Sequence, residues 1–297
     1  MQSEGGAKRE VSLILRVLAG VLVVLFMNVV PSQARDNTII RVGGSTTVLP
    51  ILTVAAERYQ QLHPEVRITV NAGGSGVGIH GVGTGRLDIG LASRQVSPEE
   101  IAHYGDVGLQ VHVVGRDAVA CVISSEVYQA GVTSLSRDEI RAIYQGRITN
   151  WKEVGGPDRS IIVIDKEPHR GTRHAFMRFV FGDEKARAPG ARLVTGSNNE
   201  EQAKIAQSDA AIGMLSLAWI NADVSGVGIR TEGRVIQPTL ENVRNGLFPI
   251  ARNLNLITVG LPQGEVKAFI DYLLGPKGQA IVQKSGYIPV NGPVPVN

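Results

Sequence analysis

At 297 residues the chain is long for one small domain, and 43% hydrophobic with 19% charged side chains lets it bury a sizeable core, which excludes a disordered or low-complexity chain. Thirty Lys and Arg against 27 Asp and Glu leave +3, far from the basic density of a dedicated nucleic-acid binder, and 5% aromatics offer few stacking platforms. The one cysteine, Cys121, excludes an intramolecular disulfide and any multi-cysteine zinc site.

Residues 1–34 have the order of a secretory signal peptide. Lys8, Arg9 and Arg16 precede an apolar run over 17–30, and Pro31-Ser32-Gln33-Ala34 supplies small residues at a cut site. The run is 14 residues, short of the ~20 a spanning helix needs. Cleavage after Ala34 is expected, which places the mature chain in the periplasm or outside the cell. An uncleaved anchor is the alternative, since Leu13 to Leu15 lengthen the run past Arg16.

The mature chain alternates strand-like and helix-like pieces. Residues 39–42 read as a strand, and 49–62 carry Leu52, Ala55, Ala56, Tyr59 and Leu62 at helical spacing. Val66, Ile68 and Val70 alternate with polar residues as a strand. A short helix over 77–84 and a strand over 87–92 follow. Pro98-Glu99-Glu100 opens a helix, with proline and acids suited to its first turn. Val107, Leu109, Val111 and Val113 alternate again. The apolar stretch 117–124 predicts a strand covered on both faces, with Cys121 a buried structural residue. Ser136 and Glu139 form a capping box for a helix ending near Gly146. Then come a strand at 161–165, a helix over 172–181 stopped by Gly182, a helix over 200–207, and strands at 210–214 and 254–259. Helices over 265–274 and 276–284 close the chain. This alternation predicts an α/β fold with mostly parallel strands, whose ligands bind where strands end and helices begin.

Three such turns carry Gly, Ser or Thr at a helix start: 43–47, 73–78 and 169–173. The first turn of a helix has free N–H groups and a partial positive charge, glycine lets a ligand approach the backbone, and hydroxyls add donors. Together they predict an anion site; each alone is also an ordinary N-cap. Gly76-Val77-Gly78-Ile79-His80-Gly81 fits G-x-G-x-x-G, but no acid follows at the ribose position, so no nucleotide cofactor is expected. G-x-S-x-G and H-E-x-x-H are absent, and His169 and His174 are poorly spaced for one metal. Asp88, Asp165 and Asp209 read as caps or turn formers. No catalytic set and no metal site is expected.

Several segments then match a family in order and spacing: Gly44-Ser45-Thr46-Thr47-Val48-Leu49-Pro50, Gly74-Ser75-Gly76-Val77-Gly78-Ile79, and Gly85-Arg86-Leu87-Asp88-Ile89-Gly90-Leu91-Ala92-Ser93-Arg94. Asn150-Trp151, Gly213-Met214-Leu215-Ser216, Ala251-Arg252-Asn253-Leu254 and Gly286-Tyr287-Ile288-Pro289 continue the series. Over 38–290 the chain resembles the phosphate-binding periplasmic solute receptors of ATP-driven (ABC) phosphate importers. The resemblance implies the two-lobed type II periplasmic-binding-protein fold, with lobe one at 36–115 plus 253–297, lobe two at 116–252, and crossovers near 114–118 and 250–255. It implies inorganic phosphate in the interlobe cleft, delivery to an inner-membrane permease, a monomer, and neither cofactor nor nucleic acid. The implied ligand-binding residues are Ser45, Thr46, Thr47, Ser75, Gly76, Ser93, Arg94, Arg170, Gly171 and Thr172. Two positions depart from the family. Its Arg-x-x-x-Ser-Gly-Thr is here Lys166 through Arg170-Gly171-Thr172, and some members carry an acid where Arg94 stands. Arg94, Arg170 and Arg173 are therefore candidates to clamp oxygens through planar forks. The departures leave another oxyanion such as sulfate as an alternative, and a secreted hydrolase or interaction protein as a further one.

Overall fold

The computed structural model describes residues 38–290, so the segment read as a signal peptide lies outside the described residues. From the N-terminal side, β1 (Thr38–Gly44), α1 (Leu49–Leu62), β2 (Val66–Ala72), α2 (Ser75–Gly83), β3 (Ile89–Ala92) and α3 (Pro98–His103) lead into the long strand β4 (Leu109–Ser124). Next come α4 (Ser125–Gln129), β5 (Ser134–Ser136), α5 (Arg137–Tyr144), β6 (Ile162–Lys166), α6 (Gly171–Phe181), β7 (Ala191–Thr195), α7 (Asn198–Ala206) and β8 (Ala211–Ser216). Short elements β9 (Val224–Gly226), β10 (Gly228–Thr231), β11 (Arg234–Ile236) and α8 (Leu240–Arg244) precede a second long strand, β12 (Ala251–Val259). Helices α9 (Gly264–Leu274) and α10 (Pro276–Lys284) and the strand β13 (Ile288–Pro289) complete it.

The main sheet runs β2-β1-β3-β12-β4-β8-β6-β7. Parallel pairing holds at its two ends, where β1 joins β2 and β3, and β6 joins β7 and β8. The middle is antiparallel, because β4 carries the chain out of one half and β12 brings it back alongside. The alternating segment read from 107–113 and the apolar stretch 117–124 merge into one strand of 16 residues, Leu109–Ser124, with no proline to break it at Gly115 and Arg116, while Val107 falls in a single 3-10 turn before it.

Two large cores flank this pair of crossover strands. One gathers Ile40, Val42, Ile51, Leu52, Leu256 and Phe269, the other Cys121, Tyr144, Trp151, Phe176 and Met177. β4 explains why its far end is apolar throughout: Val119, Cys121 and Ile123 enter the second core, while Ala120 and Val122 pack on the opposite face of the sheet. Cys121 is fully buried, and burial pushes its thiol far above the usual range.

The capping box of Ser136 and Glu139 starts α5 as read from the sequence, and an equivalent box of Ser97 and Glu100 starts α3. Asp88 accepts from the Arg41 backbone N–H at 2.7 Å and pairs with its guanidinium, which holds the carboxyl below its ordinary value although burial opposes this. Asp165 is buried against Arg173, and Asp209 pairs with Arg159.

Candidate functional site

Strand β1 ends in Gly44, whose φ of +135° turns the chain so that Ser45 N–H reaches Leu91 O at 2.9 Å and α1 starts directly over β3. That turn places Ser45 Oγ 2.9 Å from Ser93 Oγ, at the end of β3. Ser75, first in α2, accepts from Ser93 N–H at 3.0 Å. Three segments far apart in sequence thus bring hydroxyls to one point, and all three serines are buried.

From the far half, α6 contributes Thr172, whose Oγ1 lies 3.4 Å from Thr47 Oγ1. The first residue of α7, Asn198, donates to the same Thr47 Oγ1 at 3.0 Å. Between the halves stands Arg252 of β12. Its guanidinium donates to Thr47 Oγ1 (3.2 Å), Thr172 Oγ1 (3.1 Å), Ser93 Oγ (3.3 Å) and Ser93 O (3.2 Å). Asp117 of β4 holds it from behind at 3.0 and 2.7 Å, and takes Ser216 Oγ at 2.9 Å on its other oxygen. Burial pushes the Asp117 carboxyl up, against the pull of Arg252. The result is a buried cluster of hydroxyls and the Asn198 side-chain amide around one guanidinium, whose carboxylate partner Asp117 lies behind it. Such a cluster suits a small oxyanion.

The sequence-derived site residues divide accordingly. Ser45, Thr47, Ser75, Ser93 and Thr172 meet around Arg252. Gly171 and Gly76 close the space between the halves, Gly76 by donating its N–H to His169 O at 3.1 Å. Thr46 is buried but lines a neighbouring groove with Arg170, Glu167 and Glu200. The three arginines considered as clamps each pair with an acid. Arg94 makes a two-pronged contact with Glu100 at 2.7 Å on each nitrogen, Arg170 is drawn back onto Glu167, one turn away, and Arg173 is held by Asp165 at 2.9 and 3.0 Å. Arg252, Asp117 and Asn198 were not among the residues read as ligands. Arg252 had a signal, since it is the one charged residue of its strand and lies in a segment already matched to a family.

Gly171 shows how tightly the halves meet. A Cβ there falls 2.3 Å from Ser75 Oγ and 2.6 Å from Ser93 Oγ, both from the opposite half. Gly171→Ala is expected to hold the halves apart and weaken anion binding by about 5- to 140-fold, the equivalent of 1–3 kcal/mol of overpacking. Isothermal titration checks it, with unchanged unliganded melting showing that each half stays folded.

A family model for the PBP superfamily domain matches residues 30–277. The phosphate-binding protein PstS of Bacillus subtilis is 33% identical over 251 residues, covering 84% of this chain and 80% of that protein. The phosphate-binding protein PstS of Borreliella burgdorferi is 30% identical, covering 86% and 91%. Among solved structures, a Clostridium perfringens substrate-binding protein with bound phosphate superposes with a TM-score of 0.77 at 30% identity, covering 85% of this chain and 100% of that one. An ABC-type phosphate transport receptor from Vibrio cholerae gives 0.67 at 30%, covering 84% and 99%.

Proposed function

This chain belongs to the PBP superfamily, and from that premise we propose that it captures inorganic phosphate between its two lobes and delivers it to an ABC importer. It is a substrate-binding protein and not an enzyme. In this reading lobe one is 36–115 plus 253–297, lobe two is 116–252, and β4 and β12 are the pivots. The partner is an inner-membrane permease, the receptor works as a monomer, and residues 1–34 direct it out of the cytoplasm before removal.

The observation that carries the reading is the Arg252 guanidinium, seated on the pivot and donating to Thr47 and Ser93 of lobe one and to Thr172 of lobe two. An oxyanion at this point takes charge-assisted hydrogen bonds from both lobes at once, so binding and closure are the same event. Hydroxyls both donate and accept. Those of Ser45, Thr47, Ser75, Ser93 and Thr172 satisfy one another in the closed cluster, and turn onto the phosphate oxygens when it enters. Thr46 and Arg170 line the groove beside the cluster, and Arg94 follows Ser93 directly, so an anion that draws either guanidinium from its acid gains a further charged donor.

The test is thermal. Phosphate at about a thousand times its Kd stabilises a protein that binds it only when folded by about 4 kcal/mol, a rise of several degrees in melting temperature. No rise in millimolar phosphate, or a larger rise in equimolar sulfate, sinks the assignment.

A further inference from the structure

The tail segment Gly286-Tyr287-Ile288-Pro289 matches the family in sequence, yet it has no part so far in the cluster around Arg252. Helix α10 ends with Gly286 at a φ of +83°, in the left-handed region. There Gly286 N–H donates to Gln283 O at 3.1 Å and Tyr287 N–H to Val282 O at 3.2 Å, a paired closure of the last turn. This reversal feeds β13, which pairs with β4 at Arg116 and Gly115, next to Asp117. The Tyr287 side chain packs in the core that holds Ile51, Leu256 and Phe269, and the residue is 2% exposed. Its hydroxyl donates to Thr47 O at 2.7 Å, 240 positions away in sequence.

Thr47 needs this bond for a reason written in its own segment. It precedes α1, whose opening hydrogen bonds bypass it: Val48 and Leu49 N–H go to Ser45 O, and Ile51 and Leu52 N–H go to Val48 O. Pro50, three residues on, has no N–H to give. Among the described residues, Tyr287 is the donor that answers Thr47 O. On the other side of the residue, Thr47 N–H donates to Ser45 Oγ at 3.3 Å. Both polar atoms of the Thr47 backbone are thereby held, and this sets where its side chain points. That side chain is the meeting point of the site, since Thr47 Oγ1 accepts from Asn198 and Arg252 and lies beside Thr172 Oγ1. Burial first, then the charge of Asp117, push the Tyr287 phenol far above its ordinary range, so it remains a neutral donor at neutral pH.

We propose that Tyr287 is a positioning residue for anion capture, a role that rests on the phosphate-binding reading above. From the far end of the chain it fixes the Thr47 backbone, so that Oγ1 is aimed between the lobes where the oxyanion meets Arg252. Without the phenol, Thr47 O is a buried acceptor with no donor, which costs more than the bond itself contributes. The turn before α1 relieves that cost by rotating Thr47 O toward another donor, and Oγ1 rotates with it. Asn198 and Thr172 belong to other elements and keep their places, while the hydroxyl they meet has moved.

Titration calorimetry with inorganic phosphate on the unmodified protein, Tyr287→Phe, Thr47→Val and the double variant tests this. Phenylalanine keeps the ring in the core and valine keeps the branched shape, so each change removes only a hydroxyl. Tyr287→Phe is expected to bind phosphate about 2- to 12-fold more weakly than the unmodified protein, the effect of one hydrogen bond. In the Thr47→Val background the same change is expected to cost less than about 2-fold, because the hydroxyl it misplaces is already gone. A tyrosine that only supports the fold weakens binding equally in both backgrounds, and that result overturns the proposal. An affinity of Tyr287→Phe equal to that of the unmodified protein overturns it too. If Tyr287→Phe does not fold, Gly286→Ala runs the same cycle with the same two deciding results. Alanine is strained at that φ and its Cβ lies 3.2 Å from Ala218 Cβ, so it shifts Tyr287 with the phenol intact. Unmodified protein that binds no phosphate overturns the capture reading and this inference with it, whereas every result of the cycle leaves that reading standing.

Discussion

Arg252→Ala is expected to weaken phosphate binding by about 30- to 4,000-fold, the equivalent of the 2–5 kcal/mol lost when one partner of a buried, hydrogen-bonded charge contact is truncated. Arg252 is the group in the cluster that touches both lobes with a full positive charge, and it is 9% exposed. The hydroxyls it leaves behind still donate, but they are neutral, and neutral contacts are about half as strong. The same substitution strands Asp117, which is 1% exposed and retains only Ser216 Oγ and nearby backbone to answer its charge. Breaking a buried pair from one side costs about 3–5 kcal/mol of stability, so the binding loss must be read apart from unfolding. Arg252→Ala combined with Asp117→Asn removes the stranded charge. That double variant is expected to recover most of the stability and none of the affinity. Titration calorimetry and urea unfolding of the single and double variants decide it. Affinity returning with Asp117→Asn places the anion elsewhere than beside Arg252.

Much of this arrangement was legible in the sequence, because local chemistry and global fold agree there. The turns at 43–47 and 73–78 end parallel strands and start helices, and they hold the serines that converge on Ser93. Helix α10 spans the predicted 276–284 because proline at its first turn and the apolar pattern after it leave one solution. The short strands β5, β9, β10 and β11 escaped notice, since three or four residues carry no period and their pairing is set by tertiary contacts. The arginines were the harder problem. Arg94, Arg170 and Arg252 are equivalent as letters, and each pairs with an acid; what sets Arg252 apart is that its guanidinium also reaches the hydroxyls of Thr47, Ser93 and Thr172. Glu100 and Glu167 are near in sequence to the first two. Asp117 is 135 positions from Arg252, and it supports the guanidinium from behind without covering its outer face.

Lys166, where the family usually has arginine, supplies the second large effect. Its side chain is 1% exposed and pairs with Glu201, which is fully buried. Glu201 also accepts from Met214 N–H at 2.7 Å and Thr195 Oγ1 at 3.2 Å, while Lys166 Nζ reaches Ser197 O at 3.3 Å. The pair therefore ties β6, β7 and β8 to the start of α7, the helix that presents Asn198 to Thr47. Burial disfavours the charged form of both partners, lowering the lysine and raising the glutamate, and their mutual attraction opposes it. Glu201→Gln keeps the shape and removes that attraction, so the fold is expected to lose about 3–5 kcal/mol at neutral pH. The sign of the pH dependence follows. In this variant the folded-state lysine has its pKa depressed, so the unfolded chain binds more protons and stability rises with pH. The deficit is complete below the folded-state value and vanishes as pH approaches about 10.4, the ordinary lysine value. Adding Lys166→Met removes the stranded ammonium and is expected to restore most of the loss without any pH dependence. Urea unfolding of the single and double variants at neutral and alkaline pH measures this. If Glu201→Gln loses less than about 1 kcal/mol, or if its deficit is the same at both pH values, Lys166 is not carrying a buried charge, and α7 is held in place by its packing alone.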